Sequence, residues 1–287
     1  AYSSKAGVFE EKGDLGYYYF ISRLSNNFEA MADEIVEKLN QISAYLVRSN
    51  NMVVGYCCEE DDKAEVQAQI VAFADNLPQH AYPAAEYQLS MTNINEGIYT
   101  PGMIQYVAMG GNYKKLGFEY HGSLRVVETL LKYEYLWTNI RVKGGAYGAM
   151  VNTTRNGMLV FVSYRDPNLT NTVQVYKGLG EYLKGVELSE REILKYIIGT
   201  VSKLDTPLYS SAKLSKSVAR HILSISDAEV QANRDQILQT SLSDINKAGE
   251  LVGAVIDSNN ICVVGSESKI KEAKELFNVI FAATTGA

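Results

Sequence analysis

A chain of 287 residues has room for about two domains and can bury a large core. With 46% hydrophobic and 21% charged residues it has the composition of a globular protein, and the absence of any run of about 18 apolar residues excludes a membrane-spanning helix. A net charge of −6 without any Lys/Arg cluster excludes general nucleic-acid binding, which needs a basic stripe.

Cys57, Cys58 and Cys262 are too few for a disulfide framework, and adjacent Cys57 and Cys58 are poorly placed to bridge each other. Cys262 lies in an apolar run and reads as a buried, inert thiol. A reducing compartment follows. Ala1 to Gly16 lack the basic start and apolar stretch of a signal peptide, and the chain begins without Met. The expectation is a piece of a longer protein.

In chain order, Phe28 to Val47 reads as a helix, Asn50 to Gly55 as a short buried strand, and Lys63 to Leu77 as a helix after an acidic turn. Pro78 to Asn95 has two prolines and no periodicity, so it reads as a linker. Ile98 to Gly111 is rich in β-branched and aromatic residues and predicts one strand. Ser123 reads as an N-cap, followed by Leu124, Val127, Leu131 and Tyr135 at helical spacing, with Leu130 and Leu136 widening the stripe. That helix is expected to stop near Arg141, before Gly144-Gly145. Ala146 to Thr154 and Met158 to Tyr164 flank Arg155-Asn156-Gly157, a strong hairpin signal.

Capping boxes with hydrophobic staples are read at Ser189/Glu192 and Ser226/Glu229. Ile193, Tyr196, Ile197, Val201 and Leu204 mark a buried helix face that Pro207 closes. Asp244 to Ile256 reads as a helix, Asn259 to Gly265 as a strand, and Ser268 to Phe281 as a final helix. This last group echoes residues 28–77, which predicts two related units in tandem, the first only partly present. The fold class expected is α+β, an antiparallel-rich sheet packed with helices in each unit.

Neither His80, His121 nor His221 has a second histidine three or four residues away, so no H-x-x-E-H or H-E-x-x-H zinc site can form. Phosphate-loop and nucleophile-elbow patterns are absent, and Gly178 and Gly180 sit inside a helical pattern. The unusual segment is Arg141-Val142-Lys143-Gly144-Gly145-Ala146-Tyr147-Gly148. It puts an always-charged Arg at a helix end, a double-glycine turn, and a Tyr entering a strand. Such groups can converge on an oxygen-rich ligand. The same residues also suit a plain helix stop, because Arg and Lys complement the helix dipole and Tyr favours strands.

Arg141 to Gly148, followed by Ser163-Tyr164-Arg165-Asp166-Pro167, resembles the last domain of the presequence-protease branch of the pitrilysin or insulinase family. Tyr133-Glu134-Tyr135-Leu136-Trp137 and Tyr196-Ile197-Ile198-Gly199 before Asp205-Thr206-Pro207 fit as well, and the resemblance is clearest from about 97 to 265. It implies 1–80 as the end of a third domain, 81–95 as a linker and 96–287 as the fourth domain. Members of that family are zinc metalloendopeptidases whose two halves close around an unfolded peptide. The zinc is held by an H-x-x-E-H site in the N-terminal half, so this chain is expected to hold no cofactor and to cut nothing alone.

The resemblance further implies that Arg141 and Tyr147 reach the active site. Tyr147 would donate to the oxyanion, Arg141 would hold a peptide carbonyl or carboxylate, and Gly144 and Gly145 would let the peptide backbone approach. Ser163 to Pro167 reads as structural, with Arg165 and Asp166 fixing the next turn, and Lys143 as a solvated lysine. The partners implied are an unfolded peptide and the N-terminal zinc-bearing half. A homodimer is expected where the surface that half covers is left open. A bacterial cytoplasm is the expected compartment, with an organellar matrix as the alternative. Two other readings stay open: a non-catalytic pitrilysin-fold scaffold or peptide-binding subunit, and an unrelated helical binding module.

Overall fold

The computed structural model describes residues 15–81 and 94–283. Most of the expected linker, 82–93, lies outside the described residues, as do nearly all of the first sixteen. The described residues form two compact units. One comprises 94–206 and 228–283, the other 15–81 and 207–227. The sequence-based expectation grouped 207–227 with 96–287; in the structure these residues pack with 15–81 instead.

The first unit is α+β. Its strands are β1 (Glu96–Thr100), β2 (Tyr106–Asn112), β3 (Gly148–Thr153), β4 (Met158–Tyr164), β5 (Ile261–Ser266) and β6 (Val279–Ala282), in the order β3-β4-β2-β5-β1-β6. β1 runs parallel to both β5 and β6, while β2–β4, β2–β5 and β3–β4 are antiparallel. The single strand expected over 98–111 is thus two strands, separated at Pro101-Gly102, and β5 lies between them. Proline cannot donate to a ladder, which explains the break. Gln105 seals the gap: its Oε1 accepts from Ser266 N at 2.8 Å, and Gly265 leaves room for that side chain.

Alternate residues of the sheet face the helices. Val107, Met109, Leu159, Phe161, Val151, Ile261 and Val263 are buried in one cluster with Leu124, Val127, Leu130 and Leu131 from the helix that begins at Ser123. The expected hairpin is present, with Gly157 at φ +105° in its turn. Ser123 is the first residue of its helix, and Gly122 precedes it as the cap, without a side-chain cap bond. A Cβ at Gly122 would sit 2.6 Å from the Asn233 carbonyl oxygen.

The Ser189/Glu192 capping box forms, and its helix ends at Leu204, before Pro207. A further capping box, Ser241/Asp244, starts the helix Leu242–Asp257. Gly178 joins two helices, Thr170–Lys177 and Leu179–Gly185. A Cβ at Gly180 would lie 2.8 Å from Gly253 Cα, so this glycine serves a close helix crossing. The last predicted helix is cut short: Glu267–Glu272 is followed by a 3₁₀ turn, Lys274–Leu276, and then β6.

The second unit contains the helices Leu15–Asn26, Phe28–Leu46, Lys63–Asp75 and Ser210–Ile222. The strand expected over 50–55 is a 3₁₀ turn, Ser49–Asn51, followed by residues with no strand partner among the described ones. Gly55 faces Leu214 and Val218 of the Ser210–Ile222 helix, with no space for a Cβ. The two echoing segments therefore differ in what their extended residues meet.

Candidate functional site

The helix that begins as α-helix at Ser123–Leu130 continues as a π-helix over Leu131–Val142. Lys143 N–H donates five residues back, to the Thr138 carbonyl at 3.0 Å, in the wide winding of such a segment. Its buried residues are Leu131, Leu136 and Ile140, at spacings of five and four. Those anchors fix the winding, and Trp137 and Arg141 each follow an anchor by one residue.

Beyond Val142 the chain turns sharply. Gly145 N–H donates to the Arg141 carbonyl at 2.9 Å and Ala146 N–H to that of Ile140 at 3.1 Å. Gly145 has φ +79°, a backbone that L side chains rarely adopt, and a Cβ at Gly144 would meet the Ile140 carbonyl oxygen at 2.5 Å. Both glycines thus answer needs of the turn itself. Buried Ala146 closes the bend, and Tyr147 N–H donates to the Tyr164 carbonyl at 3.1 Å.

A second loop clamps this turn. Arg165 lies at φ +50°, and the next residue, Asp166, is fully buried. Asp166 Oδ1 accepts from Asn168 N at 2.8 Å, and its Oδ2 from the Thr172 hydroxyl at 2.6 Å. Backbone bonds in both directions join Asp166 to Gln105, at 2.7 and 2.8 Å. Asn168 Nδ2 donates to the Gly144 carbonyl at 2.6 Å. Asp166 is accordingly a structural centre of the loop, whereas Arg165 contributes its backbone conformation and leaves its side chain exposed.

These supports bring Arg141 and Tyr147 to one corner of the surface. Arg141 Nη1 donates to the Tyr147 carbonyl at 2.8 Å, and the guanidinium carbon lies 5.7 Å from the Tyr147 ring centre. The same carbon lies 4.2 Å from the Trp137 ring centre. Tyr147 is 67% exposed. Its ring meets Tyr164 edge-on at 5.9 Å, and Tyr164 meets Tyr106 at 5.4 Å.

Among the described residues Arg141 forms no ion pair. Glu134, on the same π-wound segment, is engaged elsewhere. The Tyr196 hydroxyl at 2.6 Å and Lys195 at 3.0 Å hold its carboxyl below the usual range. Lys143 Nζ reaches Asn139 Oδ1 at 3.4 Å. Trp137, Tyr164 and Asn168 also belong to this corner; Trp137 and Tyr164 lie in segments that carry the family resemblance without a role read for them, and Trp137 stands four residues before Arg141.

No group of three or more His, Cys, Asp or Glu suited to a metal occurs among the described residues. His80 bonds the Ala44 carbonyl, His121 bonds Ser123, and His221 lies on the Ser210–Ile222 helix. These residues do not fit a zinc site. No helix among the described residues is long and apolar enough to cross a membrane.

The family model of the PreP C-terminal domain matches residues 95–267. Protein HypA of Clostridium perfringens is 34% identical over 281 residues, covering 98% of this chain and 29% of HypA. Presequence protease 1, chloroplastic/mitochondrial, of Arabidopsis thaliana is 30% identical over 266 residues, covering 92% of this chain and 25% of that protein. The chain therefore spans less than a third of the length of these relatives.

Among solved structures, a peptidase M16 inactive domain from Pseudomonas fluorescens superposes with a TM-score of 0.52 at 13% identity. The match covers 71% of this chain and 51% of that one. A protease from Helicobacter pylori gives 0.51 at 16%, covering 72% and 52%. At such identity the likeness concerns the fold alone, and it agrees with the α+β architecture. Because the family match extends over more than half its length, the chain belongs to the PreP C-terminal domain family.

Proposed function

We propose that this chain is the C-terminal, substrate-binding half of a zinc-dependent oligopeptidase that degrades unfolded peptides in a closed chamber, and that alone it is inactive. The observation that carries the reading is the shared surface corner of Arg141 and Tyr147: a guanidinium with no ion pair among the described residues beside an exposed phenol. Relatives named presequence protease support a peptide substrate.

The zinc would belong to the N-terminal half and supply the Lewis acidity of the reaction there. Peptide hydrolysis develops negative charge on the scissile carbonyl oxygen, and a donor already aimed at that oxygen is worth about 3–4 kcal/mol. Tyr147 would donate its hydroxyl proton in a hydrogen bond to that oxygen. Arg141 would hold a neighbouring peptide carbonyl or carboxylate, while Gly144 and Gly145 shape the turn and keep side chains out of the peptide's way. The partners are thus the peptide and the N-terminal half, in a bacterial cytoplasm or an organellar matrix.

Kinetics of the intact protein test this. Tyr147→Phe and Arg141→Lys should each lower turnover by about tenfold or more with zinc content unchanged. Unaltered turnover in both would overturn the roles given to Arg141 and Tyr147, and an intact protein that turns over no peptide would favour the non-catalytic peptide-binding subunit.

A further inference from the structure

We infer that Trp137 is a positioning residue for Arg141, its indole face setting where the guanidinium fork points. The inference rests on the reading of Arg141 as a peptide ligand. The guanidinium carbon stands 4.2 Å from the indole ring centre, well within the range of cation–π attraction, and Trp is the strongest side chain for that contact.

Trp137 is 42% exposed while Leu136 and Ile140 beside it are fully buried, so the neighbours anchor the segment and the indole is left to serve the surface. An arginine has many rotamers and five donors. Here one donor is fixed on the Tyr147 carbonyl at 2.8 Å and the guanidinium carbon is held over the indole ring at 4.2 Å. These two contacts restrict where the fork can sit, so its other donors need less ordering when a carbonyl or carboxylate arrives. The π winding gives this stack its register, since Trp137 and Arg141 follow the buried pair Leu136 and Ile140 by one residue each.

Trp137 is the single tryptophan of the chain, which makes the stack directly observable. In the 287-residue chain, Arg141→Ala should raise acrylamide quenching of tryptophan emission, because one indole face is uncovered. Unchanged quenching overturns the stack. In the intact protein, Trp137→Leu should lower kcat/KM for peptide by about twofold to fivefold, the scale of a solvent-exposed cation–π contact. Trp137→Phe should stay close to wild type.

In a double-mutant cycle, Trp137→Leu should cost little once Arg141 is alanine. Losses that multiply, or a fully active Trp137→Leu, overturn the positioning role while leaving Arg141 as a ligand. An Arg141→Ala variant that cleaves normally overturns the ligand reading itself, whatever the quenching shows. Should Trp137→Leu fail to fold, the quenching arm and Trp137→Phe still decide.

Discussion

Arg141 Nη1 donates to the carbonyl oxygen of Tyr147 at 2.8 Å, so the last turn of the π-helix is tied to the first residue entering the hairpin. This bond spans the Gly144-Gly145 bend. The positions of both functional side chains therefore depend on one turn, and changes to the turn should act on stability and site together.

Gly145 holds φ +79°. A Cβ there meets nothing closer than Pro167 at 3.6 Å, so the penalty of a side chain is conformational rather than steric. Gly145→Ala should cost about 1–2 kcal/mol, read as a lower denaturation midpoint with an unchanged slope. A variant as stable as wild type would mean that the turn adopts another backbone.

Asp166 is buried and its carboxylate accepts from Asn168 N and Thr172 Oγ1. Asp166→Ala removes both acceptors and leaves two donors wanting. The expected loss is about 3 kcal/mol in urea unfolding, larger than for a surface aspartate such as Asp257. Asn168 also holds the Gly144 carbonyl, so peptide cleavage by the intact protein should fall as well.

Burial raises several phenols, Tyr176 among them, and two of these, Tyr113 and Tyr196, bear on stability between about pH 10 and 12. Burial pushes the Tyr113 hydroxyl, which donates to the Thr154 carbonyl at 2.6 Å, up to about 12. Burial, together with the hydrogen bond to Glu134, pushes Tyr196 up to about 12 as well. An unfolded tyrosine loses its proton near 10.0. Raised folded values contribute stability that is complete below the unfolded value and is lost as pH rises through the folded one. Unfolding free energy should therefore decline from about pH 10 towards about pH 12. The Tyr113→Phe variant should show a shallower decline, and an equal slope in both proteins would contradict the assignment.

The three thiols should separate by accessibility. Cys57 and Cys58 are exposed, whereas Cys262 is half-buried in β5, where burial pushes its thiol up to about 11. A higher value leaves less thiolate at neutral pH, and thiolate is the reactive form. A thiol reagent at about pH 8 should titrate Cys57 and Cys58 quickly and Cys262 slowly. Rapid reaction of Cys262 would show that β5 opens readily.

Local signals were legible in the sequence and non-local ones were not. The hairpin around Asn156-Gly157, the Ser189/Glu192 capping box and the helix stop before Pro207 rest on near neighbours and formed as expected. The Ser241/Asp244 box is equally local, an S-x-x-D before an apolar run. The split of 98–111 into β1 and β2 depends on β5, more than 150 residues away, entering between them. The packing of 207–227 against Gly55 is likewise a long-range event.

At the site, the Arg141–Tyr147 spacing was visible. The π winding was not, because Leu131, Tyr135 and Leu136 satisfy an α-helical pattern as well. Only the burial of Leu131, Leu136 and Ile140 with Tyr135 left partly open reveals the wider turn.

The most direct measurement is a crystal structure of the intact protein with its metal and a bound uncleaved peptide. The account predicts the Tyr147 hydroxyl within about 3 Å of the scissile carbonyl oxygen, and Arg141 bonded to a carbonyl or carboxylate of the same peptide. A peptide lying in the chamber with both side chains turned to solvent, away from it, would contradict the account.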